Sequence, residues 1–215
     1  MSMVDFESKL VVVTGADGNL GTRVVKAFSD KGARVVRVVR KKTGRETDTF
    51  ACDVTSEASV QDCFEEIGNR YGSIFCLVHT VGMWSMSPII ETSLESWRSM
   101  MAVNLDSTFL CFREAIRIMD STGRLLAIAS RQGADGGAAN QAAYSASKGG
   151  LVRLVESTAA EYAGTQITVN AIAPYQISTG PGKPGASPED IAGTCVFLCS
   201  AHAASISGTV IRMFG

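Results

Sequence analysis

The sequence predicts a doubly wound α/β fold, a seven-stranded parallel sheet with helices on both faces. Short runs rich in valine and isoleucine alternate with longer stretches of helical period along the whole chain. The first run leads directly into a glycine-rich turn, TGADGNLG at 14–21. No linker, repeat or low-complexity segment breaks the alternation, and strands alternating with helices imply right-handed crossovers into a parallel sheet.

The elements follow in order as strand, helix, strand, helix throughout. KLVVVTG (9–15) is the first strand, and a helix over roughly 18–31 carries Val24, Val25 and Phe28 on one face. ARVVRVV (33–39) is the second strand and TFACDV (49–54) the third. A helix capped at Ser56 leads to SIFCLVHTVG (73–82), the fourth strand. Thr92 and Glu95 form a capping box that opens a long helix through about residue 119. RLLAIAS (124–130) is the fifth strand, a helix spans roughly 140–163, and QITVNAIAP (166–174) is the sixth strand. Ser187 caps a last helix with Pro188 in its first turn, and GTVIRMF (208–214) closes the sheet.

With 215 residues, 46% of them hydrophobic and 19% charged, the chain is long enough for one well-buried domain over 1–215. Twenty basic residues nearly cancel twenty-one acidic ones, so no global field favours nucleic acid or an anionic membrane. No apolar run approaches the ~20 residues that span a bilayer, and MSMVDFESKL lacks the apolar stretch of a signal peptide. The expectation is a soluble cytoplasmic protein. Six scattered cysteines with no Cys-x-x-Cys, and only two histidines, read as buried reduced thiols with no metal site.

Two ends of a binding site are legible. At the turn, Gly15 and Gly21 let the backbone and a helix N-terminus approach a pyrophosphate. After the second strand, where an acid would hold an adenosine 2′-hydroxyl, the chain reads Val39-Arg40-Lys41-Lys42. That basic cluster suits a 2′-phosphate and favours NADP (NADPH) over NAD. Asp53, after the third strand, is placed to accept from an adenine amine. At the chemical end, AAYSASKGG (142–150) sets Tyr144 and Lys148 on one helix face. A nearby ammonium lowers a phenol pKa from its usual value of ~10 and makes the tyrosine an acid/base group.

In this order the motifs resemble the short-chain dehydrogenase/reductase family from about residue 8 to 212. Its catalytic Asn, Ser, Tyr and Lys correspond to Asn104 in NLDSTF, Ser130 in ASRQG, Tyr144 and Lys148. NAIAP (170–174), SPEDIA (187–192) and SGTVI (207–211) resemble the family's sixth strand, last helix and last strand. The resemblance implies a Rossmann-type fold and an oxidoreductase that moves a hydride between NADPH and a carbonyl, alcohol or imine carbon. Tyr144 would exchange the proton, Ser130 would stabilise the oxygen, and Asn104 would hold a water feeding a relay to Lys148. The cofactor would also touch Asp17, Asn19 and Leu20 of the turn, Val54, Gly82, and Pro174, Ile177 and Thr179 after the sixth strand. A homodimer or homotetramer is implied too.

There are three departures from the family pattern. The middle glycine of the turn is Asn19, expected to adopt the left-handed backbone that asparagine tolerates. Asn-Asn-Ala-Gly is replaced by His79-Thr80-Val81-Gly82, with His79 expected as a structural substitute hydrogen-bonding across the sheet. The segment 175–186 is too short and too rich in glycine and proline to build an apolar lid, which predicts an open site. Met83, Trp84 and Met86 suggest an apolar wall for an apolar or aromatic carbonyl substrate. A dinucleotide-binding sensor without turnover, or a non-redox epimerase or dehydratase, is the alternative reading.

Overall fold

The computed structural model describes residues 5–44, 46–178, 180 and 182–214. The strands are β1 (Leu10–Thr14), β2 (Arg34–Val39), β3 (Thr49–Ala51), β4 (Ile74–His79), β5 (Met119–Ile128), β6 (Gln166–Pro174) and β7 (Val210–Met213). They form one sheet in the order β3-β2-β1-β4-β5-β6-β7, every neighbouring pair parallel. The order reverses between β1 and β4. A ligand crevice therefore lies beyond the carboxyl ends of those two strands.

Valines run consecutively in β1 because both of its faces are covered. Val11 and Val13 pack with α1 (Asn19–Ser29) and α7 (Pro188–Cys199) through Val24, Phe28 and Ile191. Val12 packs on the other face with α2 (Glu57–Tyr71), α4 (Ser107–Arg117) and α6 (Ala142–Glu161) through Phe64, Phe112 and Leu151. Ser56 caps α2 by accepting from Ser59 N, and Ser187 caps α7 by accepting from Asp190 N.

Several expectations need correction. No helix joins β2 to β3 among the described residues; the link 40–48 is too short for a helix and two turns. The strand face left uncovered there is polar instead: Glu46 accepts from both Arg37 Nη1 (3.0 Å) and Thr49 Oγ1 (3.1 Å). The expected capping box at Thr92 is not used. Ser93 caps α3 (Leu94–Met101) by accepting from Ser96 N, while the Thr92 hydroxyl donates to Pro88 O. The long helix is interrupted by a π-helical turn, Ala102–Asp106, and ends at Arg117. That leaves β5 to begin at Met119, five residues earlier than expected, paired with Ile74. β5 ends at Ile128, and Ser130 instead caps the short α5 (Arg131–Ala134).

Candidate active site

The glycine-rich turn owes its shape to two glycines. Gly15 has φ +70°, a conformation that costs a side chain strain. A Cβ on Gly21 would overlap the Gly15 carbonyl, so only glycine lets the first turn of α1 close onto the turn. Asn19 is not left-handed as expected. It is the first residue of α1, and Gly18 before it has φ −73°, so asparagine is accommodated because the position is helical. Asp17 and Asn19 are exposed at the helix N-terminus, and Leu20 is buried beneath them.

Arg40 and Lys41 lie exposed just past β2. Asp53 stands across from them after β3, exposed, while Val54 turns into the core. The Asp53 carboxylate is held below its usual range, first by the Thr55 hydroxyl (2.6 Å), then by the Thr55 N–H, with the Arg40 charge adding to both. The adenosine-end residues are thus brought together.

At the other end a cleft of about 590 Å³ collects Leu20, Gly82, Ser130, Tyr144, Lys148, Pro174 and Ile177. Ser130 Oγ accepts from Gly133 N (3.2 Å), which leaves its O–H free to donate. Tyr144 is half-buried, and desolvation pushes its pKa up while Ser130 pulls the other way. The phenol is therefore protonated at neutral pH. This corrects the expectation that Lys148 lowers it: Lys148 Nζ donates to Ile128 O (2.7 Å), one strand end away. Full burial lowers the Lys148 pKa to about 8.

Asn104 sits in the π-turn with its side chain satisfied by protein. Oδ1 accepts from Met83 N (2.8 Å), and Nδ2 is in reach of Met83 O (3.0 Å), Met100 Sδ (3.1 Å) and Ser147 Oγ (3.0 Å). Its carbonyl accepts from Thr108 Oγ1 (2.9 Å). The side chain therefore clamps the β4 exit. A Cβ on Gly82 would stand 3.2 Å from both Asn104 Oδ1 and Lys148 Nζ, so glycine keeps this end of the cleft open. Thr179 lies outside the described residues.

Three glutamines that the sequence reading passed over, Gln132, Gln141 and Gln176, also line the cleft. Only their nearness to Ser130, Tyr144 and Pro174 in sequence signalled them. Met83 and Trp84 line it as expected; Met86 does not. Trp84 Nε1 donates to Gln141 Oε1 (3.2 Å).

His79 hydrogen-bonds across the sheet as expected, to Thr14 Oγ1 at 2.8 Å. Burial, and then the Lys148 charge, lower its pKa to about 3. A depressed pKa means that the fold excludes the proton. The stability this group contributes is complete above about pH 6.5 and is lost as pH falls toward 3. Denaturant unfolding at pH 6.5 and 4.5 should therefore show wild type losing about 2 to 3 kcal/mol more than His79→Asn over that interval. Equal losses would contradict the assignment.

The family model for short chain dehydrogenase matches residues 9–189. The chain belongs to this family. A D-threitol dehydrogenase from Mycolicibacterium smegmatis is 32% identical, covering 99% of this chain and 95% of the relative. A 3-oxoacyl-[acyl-carrier-protein] reductase from Escherichia coli is 28% identical over 99% of this chain and 98% of its own. The ligand-free structure of an aldohexose dehydrogenase from Thermoplasma acidophilum superposes with a TM-score of 0.86 at 27% identity, covering 96% of this chain and 92% of that one. This member of the short-chain dehydrogenase family is an NAD(P)-dependent oxidoreductase with a Rossmann-type sheet. The side-chain-free cradle at Gly15, Gly21 and Gly82 fits a dinucleotide laid along the strand ends. All six cysteines are buried free thiols, and no helix among the described residues is long and apolar enough to cross a membrane. No group of three or more metal-ligating side chains is assembled among them.

Proposed function

We propose that residues 1–215 form one NAD(P)-binding domain that interconverts a neutral carbonyl or imine compound and its reduced form, prefers NADP, and uses Tyr144 as its acid/base group. The observation that carries this reading is the convergence of Ser130, Tyr144 and Lys148 on one cleft at the sheet's switch point, beside the glycine cradle. When bound, NADPH supplies the hydride. Tyr144 Oη, protonated at neutral pH, gives its proton to the substrate oxygen. Ser130 Oγ–H donates to the same oxygen and stabilises the charge that develops there. Lys148, with a pKa of about 8, holds a proton at neutral pH and can return it toward the phenol. Asn104 fixes the Met83 backbone that borders the cleft.

The walls bear on the substrate. Three neutral amides and Trp84 face the cleft, and Lys148 is the one cation lining it among the described residues. A hydroxylated or amphipathic neutral carbonyl suits this wall better than the purely apolar compound that Met83 and Trp84 suggested. The names of the threitol and aldohexose relatives agree. The lid is short: Ala186 N donates to Gln176 O and Ser178 N to Ala186 O, each at 2.9 Å, so Gln176 and Ser178 pair back onto Ala186. Trp84 and Tyr175, 57% and 50% exposed, stand at the rim. The alignment with the M. smegmatis relative runs over 247 positions, so that protein carries internal residues this chain lacks. An open site that admits bulky carbonyls follows.

The buried thiols suit a reducing cytoplasm, and Phe109, 45% exposed on α4, suits assembly as a homodimer or homotetramer. Arg40 is the residue on which cofactor choice turns. Arg40→Ala should weaken NADPH binding about tenfold and leave NADH unchanged. Fluorescence titration of both cofactors checks it, and equal affinities in the wild type would remove the preference.

A further inference from the structure

His79 does more than bridge two strands. Its ring is fully buried, with Nδ1 2.8 Å from Thr14 Oγ1 and Nε2 3.1 Å from Ser107 Oγ. The Ser107 hydroxyl donates to Val103 O at 2.6 Å, inside the π-turn that carries Asn104. Having spent its proton there, Ser107 Oγ must accept from the ring. That makes His79 the Nε2–H tautomer, with Nδ1 accepting from the Thr14 hydroxyl.

From Ser107 the bonding continues to the catalytic groups. Asn104, in the same turn, clamps both polar groups of the Met83 backbone and reaches Ser147 Oγ. Ser147 in turn donates to Tyr144 O at 2.8 Å. π-turns are rare and are found frequently at functional sites.

We infer that His79 is a positioning residue for the reaction: its Nε2–H holds the Ser107 end of the π-turn and thereby sets Asn104, Met83 and the first turn of α6 under Tyr144. This rests on the proposed role of Tyr144 for its kinetic arm only. The ring's low pKa keeps it neutral, so the donor persists at all working pH values.

Two amides separate this role from a general structural one. The Gln side chain extends far enough to replace Nε2 and donate to Ser107, whereas that of Asn replaces only Nδ1 and keeps the Thr14 bond. His79→Asn should lower kcat about tenfold or more, with NADPH affinity within about threefold, and His79→Gln should recover most of the loss. Nitrogen NMR of the wild-type ring should show the Nε2–H tautomer. The Asn104 side-chain amide and the Met83 N–H should lose hydrogen-exchange protection in His79→Asn and keep it in His79→Gln.

An Nδ1–H tautomer, or unchanged protection in His79→Asn, would overturn the inference. So would equal kcat values, per folded molecule, in the two variants. If no carbonyl compound is turned over by the wild type, the proposed function fails, while the tautomer and protection measurements still decide the role of His79.

Discussion

Tyr144→Phe is expected to reduce carbonyl turnover roughly a thousandfold while NADPH still binds within about threefold of wild type. The phenol is half-buried and protonated at neutral pH because desolvation outweighs the pull of Ser130. Phenylalanine fills the same volume, so the helix and the cleft remain and only the proton donor is lost. Ser130 keeps its O–H, since its oxygen is what Gly133 N uses. A residual rate well above solution therefore remains, and Ser130→Ala should cost about a hundredfold by itself. Single-turnover rates with prebound NADPH check both. A Tyr144→Phe variant that keeps most of its rate would assign the proton to another group.

Gly21→Ala is expected to have the second largest effect. Its Cβ would overlap the Gly15 carbonyl and lie 3.0 Å from Ala16 Cα, and backbone cannot move aside as a flexible side chain can. The first turn of α1 must therefore lift away from β1, opening the phosphate cradle and uncovering Leu20. An overpacking cost of about 3 kcal/mol lowers the melting temperature by on the order of 10 °C, and NADPH affinity should fall about a hundredfold. Gly193→Ala is the control. Gly193 lies within α7 with nothing within 4 Å of the added carbon, so alanine there should stabilise by about 0.5 to 1 kcal/mol. Thermal melts of the pair separate packing from a general intolerance of substitution.

How much was legible in the sequence depended on whether the signal was local. β6 begins at Gln166 and ends at Pro174 as read, because a short run rich in isoleucine, valine and alanine belongs to an inner strand covered on both faces. α7 starts as read because Ser187, Pro188 and Asp190 spell a cap. The π-turn at Ala102–Asp106 had no local sign. Its widened bonding is supported from outside the helix, by His79 on Ser107 and by Met83 on Asn104. Thr92 and Ser93 offer the same hydroxyl one residue apart, and the fold selects Ser93 while Thr92 caps the turn at Pro88.

The site divides in the same way. Spacing alone put Tyr144 and Lys148 on one helix face, and both line the cleft. It could not say what the ammonium touches, which is decided by the Ile128 carbonyl at the end of β5. Likewise, Asn19 was read from the glycine it replaces, whereas its backbone follows from where α1 begins. The glutamines of the wall come from three separate segments, so only the folded chain shows them as a group.

The proposed turnover at Tyr144 with NADPH is tested by following NADPH oxidation and alcohol formation together across a carbonyl panel. The panel should hold hydroxylated ketones and aldoses, apolar cyclic ketones and charged keto acids. One NADPH should be consumed per alcohol formed, fastest with the neutral hydroxylated compounds. NADPH that binds tightly yet is consumed with no member of the panel, or a product formed without any loss of NADPH, would contradict it.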